Sequence, residues 1–383
     1  MASPYMVKAL KLARRGMGQT SPNPMVGALV VDDDGRIISE GYHKKAGTAH
    51  AEAAALQRAG ERAHGKTLYV TLEPCNHTGR TPPCTEAIIQ SGIRRVVVAS
   101  TDPNPHVAGG GIQRLQDAGI EVEVGDGAEE AEALNRPFMT WSRTHRPFVT
   151  LKAAMTLDGK VAAVTGESKY LTSEQARAHA HELRRTHDAI LVGSGTVLQD
   201  DPQLTYRGSR RGHDPVRVVL DTRGRISPDA QVFSADSTAP TLVFTSESAS
   251  VDWERDIFSA GGEVVRVDVG RDGRVSLVDV MAHLADRHIL SLLVEGGPAI
   301  HAAFIADQLA DRWVGYVAPI ILGGREAPSP VAGPGFGLKE APRLTIEQVF
   351  RRGPDVIIDA RVEPSPRNPL PHRNEVNDVY WTH

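Results

Sequence analysis

Apolar and polar positions along this chain alternate between strand-like and helix-like periods, and the alternation starts twice. Residues 1–20 carry an amphipathic helical pattern with Lys8, Lys11, Arg14 and Arg15 set between apolar positions. β-rich runs at residues 27–31 and 36–42 flank Asp34 and Gly35, a pair that tolerates positive φ and so predicts a hairpin. A helix over 49–58, a strand over 67–72, a helix over 85–90, a strand over 95–99 and a further helix and strand ending near Val124 follow. Such alternation predicts a layered α/β domain.

Residues 127–146 read as helical and then polar, and Arg136-Pro137 and Arg146-Pro147 interrupt them, which sets a domain boundary in this stretch. The second alternation predicts strands over 148–153, 189–192, 216–221, 241–245, 263–269, 291–294, 313–322 and 356–362. Helices are predicted over 172–185, where Thr172 and Gln175 stand at capping-box spacing, and over 280–287 and 299–309. This is a doubly wound pattern. The expected division is residues 1–146, residues 147–363 and a Pro-rich tail, 364–383, expected to be extended or disordered. No internal repeat links the halves.

At 383 residues the chain exceeds the size at which one core stops growing, so two domains are expected. Lys and Arg total 43 against 47 Asp and Glu, a net charge of −4, with no basic stripe. Broad attraction to nucleic acid or membrane is therefore not indicated, and a small, locally bound substrate is. No apolar run is long enough to cross a bilayer, residues 1–20 lack the apolar core of a signal peptide, and two cysteines are too few for a secreted disulfide framework. The expected setting is the cytoplasm, and a homo-oligomer is expected.

The strongest chemical signal is His50-Ala51-Glu52 followed by Pro74-Cys75 and Cys84, these being the two cysteines of the chain. One imidazole and two thiolates suit a tetrahedral zinc ion whose fourth position is left to water, where the metal would make hydroxide available at neutral pH. His50 and Cys84 stand at expected helix starts, where the positive dipole end favours thiolate. Glu52 need not ligate: in zinc deaminases the glutamate of H-x-E moves protons between water, ring nitrogen and leaving amine. His64, His77, His145, His179, His181 and His187 read as surface or hydrogen-bonding residues, and His43 lines the pocket only by proximity.

At these residues the chain closely resembles the riboflavin-pathway family in which diaminohydroxyphosphoribosylaminopyrimidine deaminase is fused to 5-amino-6-(5-phosphoribosylamino)uracil reductase. Cytidine and tRNA-adenosine deaminases usually place two residues between the paired cysteines. Here eight do so, and Gly79-Arg80-Thr81-Pro82-Pro83-Cys84 is the mark of the riboflavin family. The likeness extends through Pro22-Asn23-Pro24-Met25-Val26-Gly27, Gly41-Tyr42-His43-Lys44-Lys45-Ala46-Gly47, Asp102-Pro103-Asn104-Pro105, Leu151-Lys152-Ala153-Ala154, Leu157-Asp158-Gly159, Gly166-Glu167-Ser168 and the segment from Thr196 to Pro202. It covers the chain up to the Pro-rich tail.

The resemblance implies a cytidine-deaminase-like three-layer α/β/α domain followed by a dihydrofolate-reductase-like α/β domain. It further implies zinc and NADPH as cofactors and a small pyrimidine ribosyl phosphate as partner. Zinc falls to His50, Cys75 and Cys84, with Glu52 as proton shuttle. Asn23 falls against the pyrimidine, and Ser168, Arg184, Leu204, Arg207 and Glu295 at substrate positions of the second domain. Ala154, Tyr170, Thr196, Asp200, Thr222, Gly297, Pro298, Ala299, Ile300, His301, Ala302 and Ala303 fall at NADPH positions. The chain departs from the family at Tyr170, where Trp is more usual, and at Gly109-Gly110-Gly111, where a basic residue commonly separates two glycines.

Read from chemistry alone, an amide after a turn-forming proline, as at Asn23, presents both donor and acceptor to a ring edge. Arg184 and Arg207 offer paired donors to a sugar phosphate. Glu295-Gly296-Gly297-Pro298 follows a strand and precedes a helix, where bare backbone can receive a pyrophosphate. Gly193-Ser194-Gly195-Thr196 is similarly placed, as a tight turn or a cofactor contact. Lys152 and Asp200 are expected as a charged pair that polarises the ribosyl carbon accepting hydride. Arg223 and Arg225 stand where a 2′-phosphate would meet them, or are surface charges. A nucleoside or nucleic-acid deaminase with an accessory domain, and a non-catalytic zinc-stabilised ligand binder, are the other readings of the same zinc signature.

Overall fold

The computed structural model describes residues 2–77, 82–104, 110–208, 212–233, 237–270 and 272–363. The expected Pro-rich tail, Gly109 and the middle of the segment between the two cysteines lie outside the described residues. The chain forms two compact units, one ending at His145 and the next beginning at Arg146. Arg146 belongs to the second because its guanidinium forks onto Asp311 at 2.6 and 2.7 Å.

In the first unit, α1 (Pro4–Ala13) leads into a sheet of β1 (Gly27–Val31), β2 (Ile37–Tyr42), β3 (Thr67–Val70), β4 (Arg95–Val98) and β5 (Glu121–Val124). The helices α2 (Ala51–Ala59), α3 (Cys84–Gln90) and α4 (Gly110–Asp117) alternate with these strands, and α5 (Ala128–Leu134) and α6 (Arg136–Thr144) close the unit. Sheet order is β2-β1-β3-β4-β5, antiparallel at β2-β1-β3 and parallel at β3-β4-β5. Alternate residues of β1 serve opposite faces, as the two-residue strand period requires. Ala28 and Val30 meet Ala51, Ala55, Ile88 and Leu115 of the helices α2 to α4, while Leu29 and Val31 meet Met6, Ala9 and Leu10 of α1. The result is three layers.

Glycine sets how closely α2 lies on the sheet. A Cβ at Gly41 of β2 would stand 2.1 Å from the Ala51 carbonyl oxygen, so only a bare backbone admits the helix there. Pro137, expected to interrupt the chain, instead lies in the first turn of α6, where its missing N–H costs no hydrogen bond.

The second unit holds β6 (Phe148–Thr156), α7 (Glu174–Thr186), β7 (Ala189–Gly193), α8 (Ser194–Asp200), β8 (Val216–Leu220), β9 (Thr241–Thr245), α9 (Val251–Ser259), β10 (Gly262–Arg266), α10 (Leu277–Asp286), β11 (Ser291–Val294), α11 (Pro298–Ala306), β12 (Arg312–Ala318), β13 (Leu344–Arg352) and β14 (Asp355–Val362). Sheet order is β10-β9-β8-β7-β11-β6-β12-β14-β13, parallel from β10 to β12 and antiparallel at β12-β14-β13. Val149, Leu151, Leu191 and Val218 pack with α10 and α11 on one face. Ile190, Val192 and Val219 pack with α7, α8 and α9 on the other.

Several expectations are corrected here. The cap of α7 is Ser173, whose hydroxyl accepts from Ala176 N and donates to Asp355 Oδ2, rather than Thr172. The strand expected over 313–322 stops at Ala318, before Pro319, which has no N–H for the ladder. β13 was not expected: it is an edge strand exposed along nearly all its length, with a register shift between Ile346 and Gln348 that breaks the alternation. α9, capped by Ser250, and α8, read as a turn, were also missed.

Candidate active sites in the two units

In the first unit, His50 is the N-cap of α2 and Cys84 is the first residue of α3, while Cys75 lies in the loop after β3. Three elements therefore bring their ends to one place. His50 Nδ1, Cys75 Sγ and Cys84 Sγ all lie within 4.8 Å of one another. His50 Nδ1 is 3.2 Å from Cys84 Sγ and 3.6 Å from Cys75 Sγ, and Cys84 N donates to Cys75 Sγ at 3.4 Å. A tetrahedral site with nitrogen and sulfur ligands separates those atoms by about 3.6 Å, so the donor set fits zinc in type and in spacing. Hydrogen bonding from Cys84 holds the Cys75 thiol below its usual range against the opposing effect of burial.

Glu52 stands in the first turn of α2, only 3% exposed. Burial, and secondarily the nearby Cys75, push its carboxyl up to about 7. A carboxyl in that range both accepts and returns a proton near neutral pH.

His43 has a larger role than proximity. It is 3% exposed, and its Nδ1 lies 3.3 Å from the Ala49 carbonyl, its Nε2 3.1 Å from Asn23 Nδ2. The network assigns the proton to Nδ1, so that Nε2 accepts from the amide of Asn23. His43 thus orients Asn23, while its own ring meets the His50 ring edge-on at 5.5 Å. Glu73 was likewise not foreseen: its carboxylate accepts from Gly111 N at 2.9 Å, Ile112 N at 3.2 Å and Asp102 N at 3.1 Å, tying the start of α4 to the loop that carries Cys75. His43, just after β2, lies in the segment Gly41 to Gly47 that carries the family likeness, whereas the signal for Glu73 lay only in the Pro74-Cys75 that follows it.

In the second unit, the parallel register Val294↔Leu151 sets Glu295 beside Lys152. Lys152 Nζ is 4.0 Å from Glu295 Oε2 and 5.7 Å from the centre of the Tyr316 ring. From α7, Arg184 donates to both Glu295 oxygens, at 3.1 and 3.0 Å, and to the Thr205 carbonyl at 2.9 Å. Burial would raise the Glu295 carboxyl, but Arg184 and Lys152 outweigh it and hold the group at about 2. The expected pairing of Lys152 with Asp200 is corrected: Asp200 ends α8 in an exposed position, and among the described residues the carboxylate facing Lys152 is Glu295. Arg184, expected as a phosphate ligand, directs three of its five N–H groups to protein oxygens.

The remaining expected positions are spread over several elements of the second unit. The connections leave the parallel neighbours β7 and β11 toward opposite edges of the sheet, since β7 leads through α8 to β8 on one side and β11 through α11 to β12 on the other. Ligands of open α/β sheets bind at such switch points, beyond the carboxyl ends of the strands. Gly193 and Ser194 border this one on the β7 side, with half-buried Thr196 in α8. On the β11 side Gly297 is the N-cap of α11, a Cβ there would meet nothing within 4 Å, and Pro298 opens the helix that runs through Ala299, Ile300, His301, Ala302 and Ala303. Open backbone at the end of a parallel strand fits a nucleotide's phosphates.

Thr222 follows β8, and its hydroxyl accepts from Val275 N at 3.2 Å. Ala154 is half-buried on β6, Ser168 half-buried in the loop after it, and Arg207 exposed. Tyr170 is 77% exposed at φ 65°, with Arg177 stacked 5.0 Å from its ring centre, and Leu204 is buried at φ 56°. Non-glycine residues held at positive φ are uncommon and gather at functional sites. No helix among the described residues is long and apolar enough to cross a membrane.

Each unit also has relatives among known proteins. Residues 1–100 match the cytidine and deoxycytidylate deaminase zinc-binding region, and residues 147–358 match the RibD C-terminal domain. The chain is 46% identical over 357 residues to riboflavin biosynthesis protein RibD of Bacillus amyloliquefaciens, covering 93% of this chain and 95% of that one. It is 41% identical over 369 residues to RibD of Escherichia coli (strain K12), covering 92% and 97%. Among solved structures it is similar to Acinetobacter baumannii RibD, with a TM-score of 0.85, 36% identity and coverage of 94% and 98%. It is also similar to a Thermotoga maritima diaminohydroxyphosphoribosylaminopyrimidine deaminase/5-amino-6-(5-phosphoribosylamino)uracil reductase, with a TM-score of 0.82, 39% identity and coverage of 94% and 97%.

Proposed function

We propose substrates and residue roles for this chain, which belongs to the RibD family of riboflavin biosynthesis proteins and is a bifunctional deaminase and reductase with a cytidine-deaminase-like first domain and a dihydrofolate-reductase-like second one. The first reaction is hydrolytic deamination of 2,5-diamino-6-ribosylamino-4(3H)-pyrimidinone 5′-phosphate. The second is NADPH-dependent reduction of the ribosyl chain, giving 5-amino-6-ribitylamino-uracil 5′-phosphate. The observation that carries this reading is the convergence of His50, Cys75 and Cys84 beside buried Glu52, in one chain with the Lys152–Glu295 site.

His50, Cys75 and Cys84 hold zinc, which when bound lowers the pKa of water and so makes hydroxide available near neutral pH. Glu52 carries one proton of the attacking water to the ring nitrogen and then the second, from the hydroxyl so added, to the departing amine, which leaves as ammonia, the shuttle for which a buried carboxyl near pH 7 is suited. Asn23, oriented by His43, reads the pyrimidine edge.

In the second domain Ala154, Tyr170, Thr196, Asp200, Thr222 and the segment from Gly297 to Ala303 surround NADPH, which when bound supplies hydride to the ribosyl C1. Lys152 stabilises the charge that develops on the adjacent ribosyl heteroatom, and Glu295, fixed by Arg184, keeps that ammonium in place. Ser168, Leu204 and Arg207 complete the substrate site. The enzyme works as a homo-oligomer in the cytoplasm.

Separable variants test the assignment. Glu52→Gln is expected to stop ammonia release while keeping bound zinc and the reduction of already deaminated substrate. Lys152→Met and Asp200→Asn are expected to affect reduction alone. A Glu52→Gln protein that deaminates normally, or a Lys152→Met protein that reduces normally, would overturn the corresponding role.

A further inference from the structure

Tyr316 of β12 is buried, with 1% of its surface exposed. β12 runs parallel to β6, with Val314 opposite Lys152 and Tyr316 opposite Ala154. Residues two apart on a strand share a face, so Lys152 and Tyr316 stand diagonally on the side of the sheet that packs against α7. There the Lys152 ammonium lies over the Tyr316 ring, 5.7 Å from its centre, and 4.0 Å from Glu295 Oε2. The far end of the ring is anchored. Its hydroxyl and Nδ1 of His179 on α7 share a hydrogen bond of 2.8 Å, and the His179 ring in turn meets Phe350 of β13 edge-on at 5.3 Å.

We propose that Tyr316 is a positioning residue of the reductase site: its ring face carries the Lys152 ammonium, and His179 keeps that ring from tilting away. The inference rests on the role given to Lys152 above. A cation over an aromatic face is attracted by the negative potential of the ring, and more strongly where water is excluded. A second carboxylate beside Lys152 would also hold it, but would oppose the positive charge that has to act on the ribosyl heteroatom. The ring attracts the ammonium and brings no net charge. Burial, with the Glu295 charge second, pushes the Tyr316 hydroxyl above its usual range, so the ring stays neutral. Because that hydroxyl is turned to α7 and engaged by His179, Tyr316 acts through Lys152 and not on the substrate itself.

The test replaces Tyr316 in the full chain by phenylalanine and then by its 4-fluoro, 3,5-difluoro and 3,4,5-trifluoro forms, which barely alter the ring's shape and successively weaken the negative potential of its face. Oxidation of NADPH with already deaminated substrate is followed for each. Tyr316→Phe keeps the ring and is expected to lower kcat about threefold, through loss of the anchor. Each further fluorine is expected to lower kcat again, to about tenfold below Tyr316→Phe in the trifluoro ring, with the KM for NADPH within about twofold and the melting temperature of the second unit unchanged. A ring that only packs would leave kcat flat along the series. His179→Ala is expected to cost about threefold in the wild-type chain and little more in Tyr316→Phe, where the hydroxyl it holds is gone. Ammonia release by the first unit of the same chain checks that each variant is properly made. A kcat that does not change along the fluorinated series, in a chain that loses reduction on Lys152→Met, would overturn the proposal. Normal reduction by Lys152→Met would instead remove the role on which the proposal rests, and the proposal with it.

Discussion

Arg184 and Glu295 form a two-pronged pair, with Nε and Nη2 of the guanidinium donating to the two carboxylate oxygens at 3.1 and 3.0 Å. Both side chains are nearly enclosed, at 12% and 11% exposure. Removing one partner of such a pair strands a buried charge, which costs about 3–5 kcal/mol. Arg184→Ala is therefore expected to lower the melting temperature of the second unit and abolish reduction, while Arg184→Lys, which lacks the fork, restores only part of either. Differential scanning calorimetry and NADPH oxidation check it.

The same carboxylate predicts an acid-side effect. Its folded pKa of about 2 lies below the usual 4.5, so the stability it contributes is fully present above about 4.5 and is lost as pH falls from there toward 2. Melting temperatures of wild type and Glu295→Gln are expected to converge across that window, and parallel curves would contradict the assignment.

Removing zinc with a chelator is expected to stop ammonia release and leave reduction of deaminated substrate intact, with activity returning when zinc is restored. Cys75→Ser and Cys84→Ser are each expected to lower bound zinc, measured by atomic emission, because one ligand of three is lost.

His43→Ala removes the acceptor that orients Asn23 and is expected to raise the deaminase KM about tenfold, near the effect of Asn23→Ala itself. The double variant is expected to be little worse than either single one, because the two act as one unit. Additive losses would show that His43 acts separately.

Gly110 and Gly111 are expected to respond in opposite ways to substitution. A Cβ at Gly111 would lie 2.0 Å from the Pro74 carbonyl oxygen, whereas at Gly110 it meets nothing within 4 Å. Gly111→Ala should disturb the loop carrying Cys75 and reduce deamination. Gly110→Lys, which restores the basic residue common in the family, should fold normally and lower the deaminase KM.

Much of this was legible in the residue pattern. The strands at Gly27–Val31, Thr241–Thr245 and Ser291–Val294 coincide with their apolar runs because all three are buried on both faces. Edge strand β13 has no such run, and its bulge breaks the alternation, so nothing in its pattern marked it. The residues gathered at the zinc site could be read because His50, Glu52, Cys75 and Cys84 have chemistry that spacing alone makes conspicuous. Glu295 could not be paired with Lys152 from the sequence, since that contact depends on β11 lying beside β6, a crossover that places residues 143 positions apart side by side. His43 reads in the sequence only as a neighbour of the pocket for the same reason: its partner Asn23, 20 residues away, is brought to it by the fold.

The most direct test of the central claim is to incubate the zinc-loaded chain with 2,5-diamino-6-ribosylamino-4(3H)-pyrimidinone 5′-phosphate, with and without NADPH, and to follow the products by mass spectrometry. Exchange of an amino group for oxygen without NADPH, followed by the gain of two hydrogens when NADPH is added, is the predicted result. An unchanged substrate in protein shown to hold zinc, or hydrogen gain with no prior exchange, would contradict it.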